Sequence, residues 1–115
     1  MDERIKRRLS HVVDAVHQIS LLLADKTLAD IAADRPLKAA FERFLEIASE
    51  ASRHVPDDLK QQQPHVPWRH IADIGNVIRH AYQRVDDEII WQIYAGGQLE
   101  DLRDACEALL AGGNR

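Results

Sequence analysis

Apolar residues return every third or fourth position through most of this chain, the spacing that gives a helix one apolar stripe. Across residues 2–24 the stripe is Ile5, Leu9, Val12, Val13, Val16, Ile19 and Leu23. Asp25-Lys26-Thr27 interrupts it, and residues 28–33 add a short turn of helix. Asp34-Arg35-Pro36 is a helix start: a capping carboxylate, then proline in the first turn, where its missing N–H costs nothing. The second helix runs to about His54, with Leu37, Phe41, Phe44, Ala48, Ala51 and Val55 inward, and Pro56 stops it.

The stretch PDDLKQQQPHVP is the one linker, holding three of the four prolines, and its first four residues suit a single helical turn. Pro67 opens a third helix carrying Trp68, Ile71, Ile74, Ile78 and Ala81, which ends near Gln83. Asp86-Asp87-Glu88 is an acidic start for a fourth, the placement that the helix dipole favours. Its stripe passes Ile89, Ile90, Ile93 and Tyr94, breaks at Gly96-Gly97, and resumes through Leu99, Leu102, Ala105, Cys106, Leu109 and Leu110. Four amphipathic helices with short connections predict an all-α fold, an antiparallel up-and-down four-helix bundle whose last helix is kinked or split.

Composition narrows the picture. A chain of 115 residues suits one domain spanning 1–115. Scarce Gly and Pro, with a Leu/Ala/Ile-rich apolar set, argue against a β-sandwich. A net charge of −4 excludes a generic basic surface but is compatible with a local basic groove for RNA. Cys106 is the single cysteine, so neither an internal disulfide nor a four-cysteine zinc site can form. The first twenty residues are charged and amphipathic, and no run approaches the ~20 apolar residues of a membrane span, so a cytoplasmic protein is expected.

The candidate chemistry lies in NVIRHAY, residues 76–82. At about 100° per residue, Asn76, Arg79, His80 and Gln83 share one side of the third helix, Tyr82 falls within a turn of Arg79, and Arg69, His70 and Arg84 add positive charge at its two ends. Such a set suits metal-free phosphodiester cleavage. A histidine can take a proton from a nucleophilic hydroxyl or return one to a leaving oxygen. A guanidinium can hold the non-bridging oxygens as charge builds, and a tyrosine can position a phosphate or stack on a base. The same residues also suit an ordinary solvated helix face, and spacing alone leaves both readings open. His11 and His17 do not share a helix face, and His65 and His70 lack the i, i+4 spacing of a zinc pair, so no metal is expected. Dinucleotide, Walker and nucleophile-elbow fingerprints are absent, so no cofactor is expected either, and Cys106 sits on an apolar stripe as a core residue.

Taken together, LEIASEA at residues 45–51, Pro67-Trp68-Arg69, the Asn76…Arg79-His80-x-Tyr82 segment and the VD…W run from Val85 to Trp91 resemble the HepT-like proteins of the HEPN superfamily. The resemblance spans nearly the whole chain. It implies a homodimer in which the third helices meet and bring two His-containing motifs into one cleft. It also implies a metal-independent ribonuclease toxin of a type VII-like toxin–antitoxin pair, acting on RNA. The antitoxin is a minimal nucleotidyltransferase that in some systems transfers AMP from ATP onto the motif tyrosine. By position, His80 is the implied catalytic histidine, Tyr82 the modified tyrosine, and Asn76 the asparagine that follows the motif arginine. One position departs: the family has an arginine directly before that asparagine, and here stands Gly75. Arg79, one turn further on, leans back over the vacated space and is the replacement clamp. A glycine at 75 would also let another backbone, such as that of a dimer mate, approach closely. The competing expectation is a binding module, a dimeric partner of a nucleotidyltransferase whose nuclease chemistry lapsed with the arginine.

Overall fold

A computed structural model describes residues 1–80 and 86–112. Seven helices occur among the described residues: α1 (Glu3–Leu23), α2 (Leu28–Ala33), α3 (Arg35–Arg53), α4 (Asp57–Gln61), α5 (Trp68–Arg79), α6 (Asp87–Ala95) and α7 (Gln98–Gly112). The four expected helices are α1, α3, α5 and the split pair α6–α7. The short turns expected after Thr27 and after Pro56 are α2 and α4.

Local sequence explains most of the boundaries. Asp2 caps α1 by accepting the Arg4 N–H at 2.7 Å. Thr27 and Asp30 form a reciprocal capping box at the start of α2. The Asp34 carboxylate accepts the Leu37 N–H at 3.1 Å, an N-cap worth about 1 kcal/mol. Between α6 and α7 the chain turns at Gly97, whose φ of 85° is left-handed backbone that a residue with a Cβ seldom adopts.

The core forms where α1 packs against α3 and α7, with α5 laid on the other side of α3. Leu9, Val12, Ile19, Phe41, Ala48, Leu102 and Cys106 are completely buried. Along α3, Phe44 is only half-buried, because it falls at the edge of the stripe. Lys38 is the charged exception to an apolar interior: its ammonium lies 2.6 Å from the Asp87 carboxylate, joining α3 to the first turn of α6. In the linker, Leu59 and Val66 are buried, Trp68 donates its indole N–H to the Gln63 carbonyl at 3.0 Å, and Lys60 lies over the Trp68 ring.

Most of the apolar stripe of α5 is covered within the chain. Ile71 and Ile74 are buried within this chain, and Trp68 and Ile78 pack against its core. α3 meets α5 through a small residue, Ser49, which touches Ala72 and Gly75 and lets the helix axes approach. The large apolar residue exposed on α5 is Val77. No helix among the described residues is long and apolar enough to cross a membrane.

Candidate active site

The site is built on the seam between α3 and α5. At its centre the Ser49 hydroxyl donates to the Ala72 carbonyl at 3.0 Å and lies 3.0 Å from the Gly75 N–H, which donates to it. A Cβ on residue 75 would stand 2.6 Å from that oxygen and 3.0 Å from the Ser49 Cβ, inside contact distance. The close neighbour that requires glycine is therefore Ser49 of the same chain, rather than the dimer mate's backbone. Position 75 also faces inward, so an arginine there would begin its path inside the α3–α5 seam.

Arg79 takes the geometry expected of it. Its Nη1 lies 3.4 Å from where a Cβ on Gly75 would be, so the guanidinium leans back over the glycine. One edge of that guanidinium donates to the Asn76 side-chain oxygen, and Nη1 stands 3.8 Å from the Glu50 carboxylate. Arg53 donates to the same Asn76 oxygen at 3.1 Å, so two cations from two helices converge on one amide. Glu50 also meets the His54 Nε2 at 3.2 Å.

His80 is the C-cap of α5, exposed, with its backbone N–H donating to the Asn76 carbonyl at 3.0 Å. Asn76, Arg79 and His80 thus stand together on the last turn of α5. Tyr82, Arg84 and the expected helix end at Gln83 lie outside the described residues.

Sequence reading missed the α3 side of this site. Arg53 reaches the Asn76 side chain of the α5 motif and Glu50 meets His54, and the Glu50–His54 spacing of one helical turn was the available signal. Beside Glu50 lies a groove of about 410 Å³ between α1 and α3, lined by Arg8, His11, Arg43, Glu46 and Ile47 and reaching Arg79 of α5. Among the described residues no three His, Cys, Asp or Glu side chains come together as a metal site would need.

Comparison with known proteins points the same way. The family model for "Ribonuclease HepT-like" matches residues 12–109. A Thermococcus cleftensis protein named "Probable ribonuclease HepT" is 32% identical over 87 residues, covering 76% of this chain and 79% of that one. A Methanocaldococcus jannaschii protein provisionally named as an RNase is 26% identical over 105 residues, covering 91% of this chain and 87% of its own length. A similarly named protein of Caldanaerobacter subterraneus is 30% identical over 84 residues, 73% of this chain and 75% of that one. No solved structure matches the chain. The all-helical fold, the motif on α5 and the family match over residues 12–109 agree: this chain belongs to the HepT-like ribonuclease family of the HEPN superfamily.

Proposed function

We propose that this protein is a metal-independent endoribonuclease and the toxin of a toxin–antitoxin pair, working in the cytoplasm as a homodimer. The observation that carries the reading is the Arg79 guanidinium, which leans over Gly75, holds Asn76 and stands one residue from the exposed His80. Cleavage needs a group that takes the 2′-hydroxyl proton as its oxygen attacks phosphorus. It needs another that returns a proton to the departing 5′ oxygen, leaving a 2′,3′-cyclic phosphate and a 5′-hydroxyl. The two His80 imidazoles of a dimer supply both functions. Arg79 stabilises the charge that builds on the non-bridging oxygens, with Asn76 fixing the plane of its guanidinium. Val77, exposed on α5, offers the apolar contact for the second copy.

Regulation follows from Tyr82. A minimal nucleotidyltransferase antitoxin would transfer AMP from ATP onto its hydroxyl, releasing pyrophosphate and placing a bulky anion two residues from His80. The added phosphate would compete with RNA for Arg79.

One observation favours the second reading, a binding module without nuclease chemistry. Arg79 already has a carboxylate beside it, Glu50 at 3.8 Å, which lowers its net attraction for a phosphate. Induced expression of the chain alone, beside His80→Ala, separates the two. Growth arrest and RNA cleavage that His80→Ala reduces by ~10²-fold, with EDTA leaving the wild type active, support the nuclease. A wild type that neither arrests growth nor cleaves RNA, yet still binds a nucleotidyltransferase, supports the module.

A further inference from the structure

The groove beside the motif has a character that the α5 residues alone do not explain. The chain carries a net charge of −4, yet Arg8 and His11 of α1, Arg43 of α3 and Arg79 of α5 line one continuous depression. Arg8 and Arg43 have no ion pair among the described residues, whereas the Glu50 carboxylate at the near end is held by Arg79 and His54. Glu46 is the other acid in the groove, and Ile47 and Ala51 give it an apolar floor. Cationic walls over an apolar floor are the features with which proteins hold a single nucleic-acid strand: the phosphates meet the cations, and the base faces lie on the apolar surface or on guanidinium planes.

Position along α3 sets the scale. From Glu50, beside Arg79, to Arg43 is seven residues, or roughly 10 Å at the helical rise. A volume of about 410 Å³ is on the scale of one splayed nucleotide. We infer that the groove between α1 and α3 is the path of the RNA strand next to the scissile bond, with Arg8 and Arg43 binding the neighbouring phosphate and Ile47 supporting its base. This rests on the ribonuclease reading, since Arg79 is the point at which groove and motif join.

The test uses the whole chain and a fluorescent single-stranded RNA with 2′-O-methyl groups, which binds but cannot be cut by 2′-hydroxyl attack. Arg8→Gln and Arg43→Gln are each expected to weaken binding about 5- to 10-fold. The double variant should lower the slope of log affinity against log salt by about 1.4, or 0.7 for each arginine that no longer neutralises a phosphate charge. On cleavable RNA, KM should rise while kcat stays near wild type. Lys26→Gln, exposed beyond the far end of α1, should change none of these. A double variant with wild-type affinity and salt slope, in protein that still cleaves RNA through His80, overturns the groove and leaves the ribonuclease standing. Binding that depends on Arg8 and Arg43 without any cleavage supports the groove and overturns the nuclease. Failure of the wild type either to bind or to cleave overturns both.

Discussion

The Ser49 hydroxyl occupies the space that a side chain at position 75 would need: it lies 3.0 Å from the Gly75 nitrogen and 2.6 Å from where a Cβ would stand. Helix propensity favours alanine over glycine at an interior position by about 1 kcal/mol. Packing at this seam opposes that gain. Gly75→Ala must turn the Ser49 hydroxyl away from the Ala72 carbonyl and still meets the Ser49 Cβ at 3.0 Å. A net loss of about 1–2 kcal/mol is expected by urea denaturation. The swap Ser49→Gly with Gly75→Ala should recover part of it. A more stable Gly75→Ala would show that the seam is not tight. Gly75→Arg, which restores the family residue, is expected to open the seam, and added to Arg79→Ala it should rescue no activity.

Arg79 is the test of the relocated clamp. Arg79→Lys keeps a positive charge but loses the planar fork that grips Asn76, so RNA cleavage should fall by about 10-fold or more with the fold unchanged. Arg79→Ala should cost ~10²-fold. Full activity in Arg79→Ala would remove it from the mechanism and turn attention to Arg53, which holds the same Asn76 oxygen.

The Lys38–Asp87 pair fastens α6 to α3 at 2.6 Å, with both side chains largely covered. Lys38→Ala leaves the Asp87 carboxylate without this partner and should cost about 3 kcal/mol. Thermal or urea unfolding reads it directly. A loss under ~0.5 kcal/mol would place the pair among ordinary surface bridges.

Glu42 gives a pH signature of opposite sign to that of most carboxylates. Burial raises its pKa above the usual glutamate range, against the opposing pull of Lys38 and with a further push from Asp87 and Glu46. The folded state therefore holds its proton more tightly than the unfolded state does. That contribution to stability is complete below the ordinary glutamate pKa and is lost as pH rises through the raised one. Glu42→Gln should accordingly be more stable than wild type near neutral pH, and the difference should vanish in acid. Denaturation curves at several pH values measure it, and a constant difference would contradict the shift.

Cys106 is completely buried, and burial pushes its thiol up to about 12. The reactive thiolate is then all but absent in the folded protein. Labelling by a thiol reagent should follow the global unfolding rate and accelerate only as denaturant unfolds the chain. Rapid labelling of the native protein would mean that α7 opens locally.

Periodicity by itself determined the helices, because an apolar stripe at helical spacing needs no knowledge of its partner. The start at Asp34, the acidic start at Asp86-Asp87-Glu88 and the break at Gly96-Gly97 were legible because capping, helix-dipole and turn preferences are properties of a few adjacent residues. The lean of Arg79 over Gly75 was legible too, since one helix fixes both positions. What the stripe on α5 packs against was decided only by tertiary structure. It packs on α3 of the same chain, and Val77 rather than Ile71 or Ile74 faces outward. Tertiary structure also explained the glycine, because Ser49 is distant in sequence and no local pattern joins it to position 75. Glu50, Arg53 and His54 entered the site, and Arg8 and Arg43 the groove, by the same route. Each lies on a polar helix face whose period reveals that it is outward but not which neighbouring helix stands beside it.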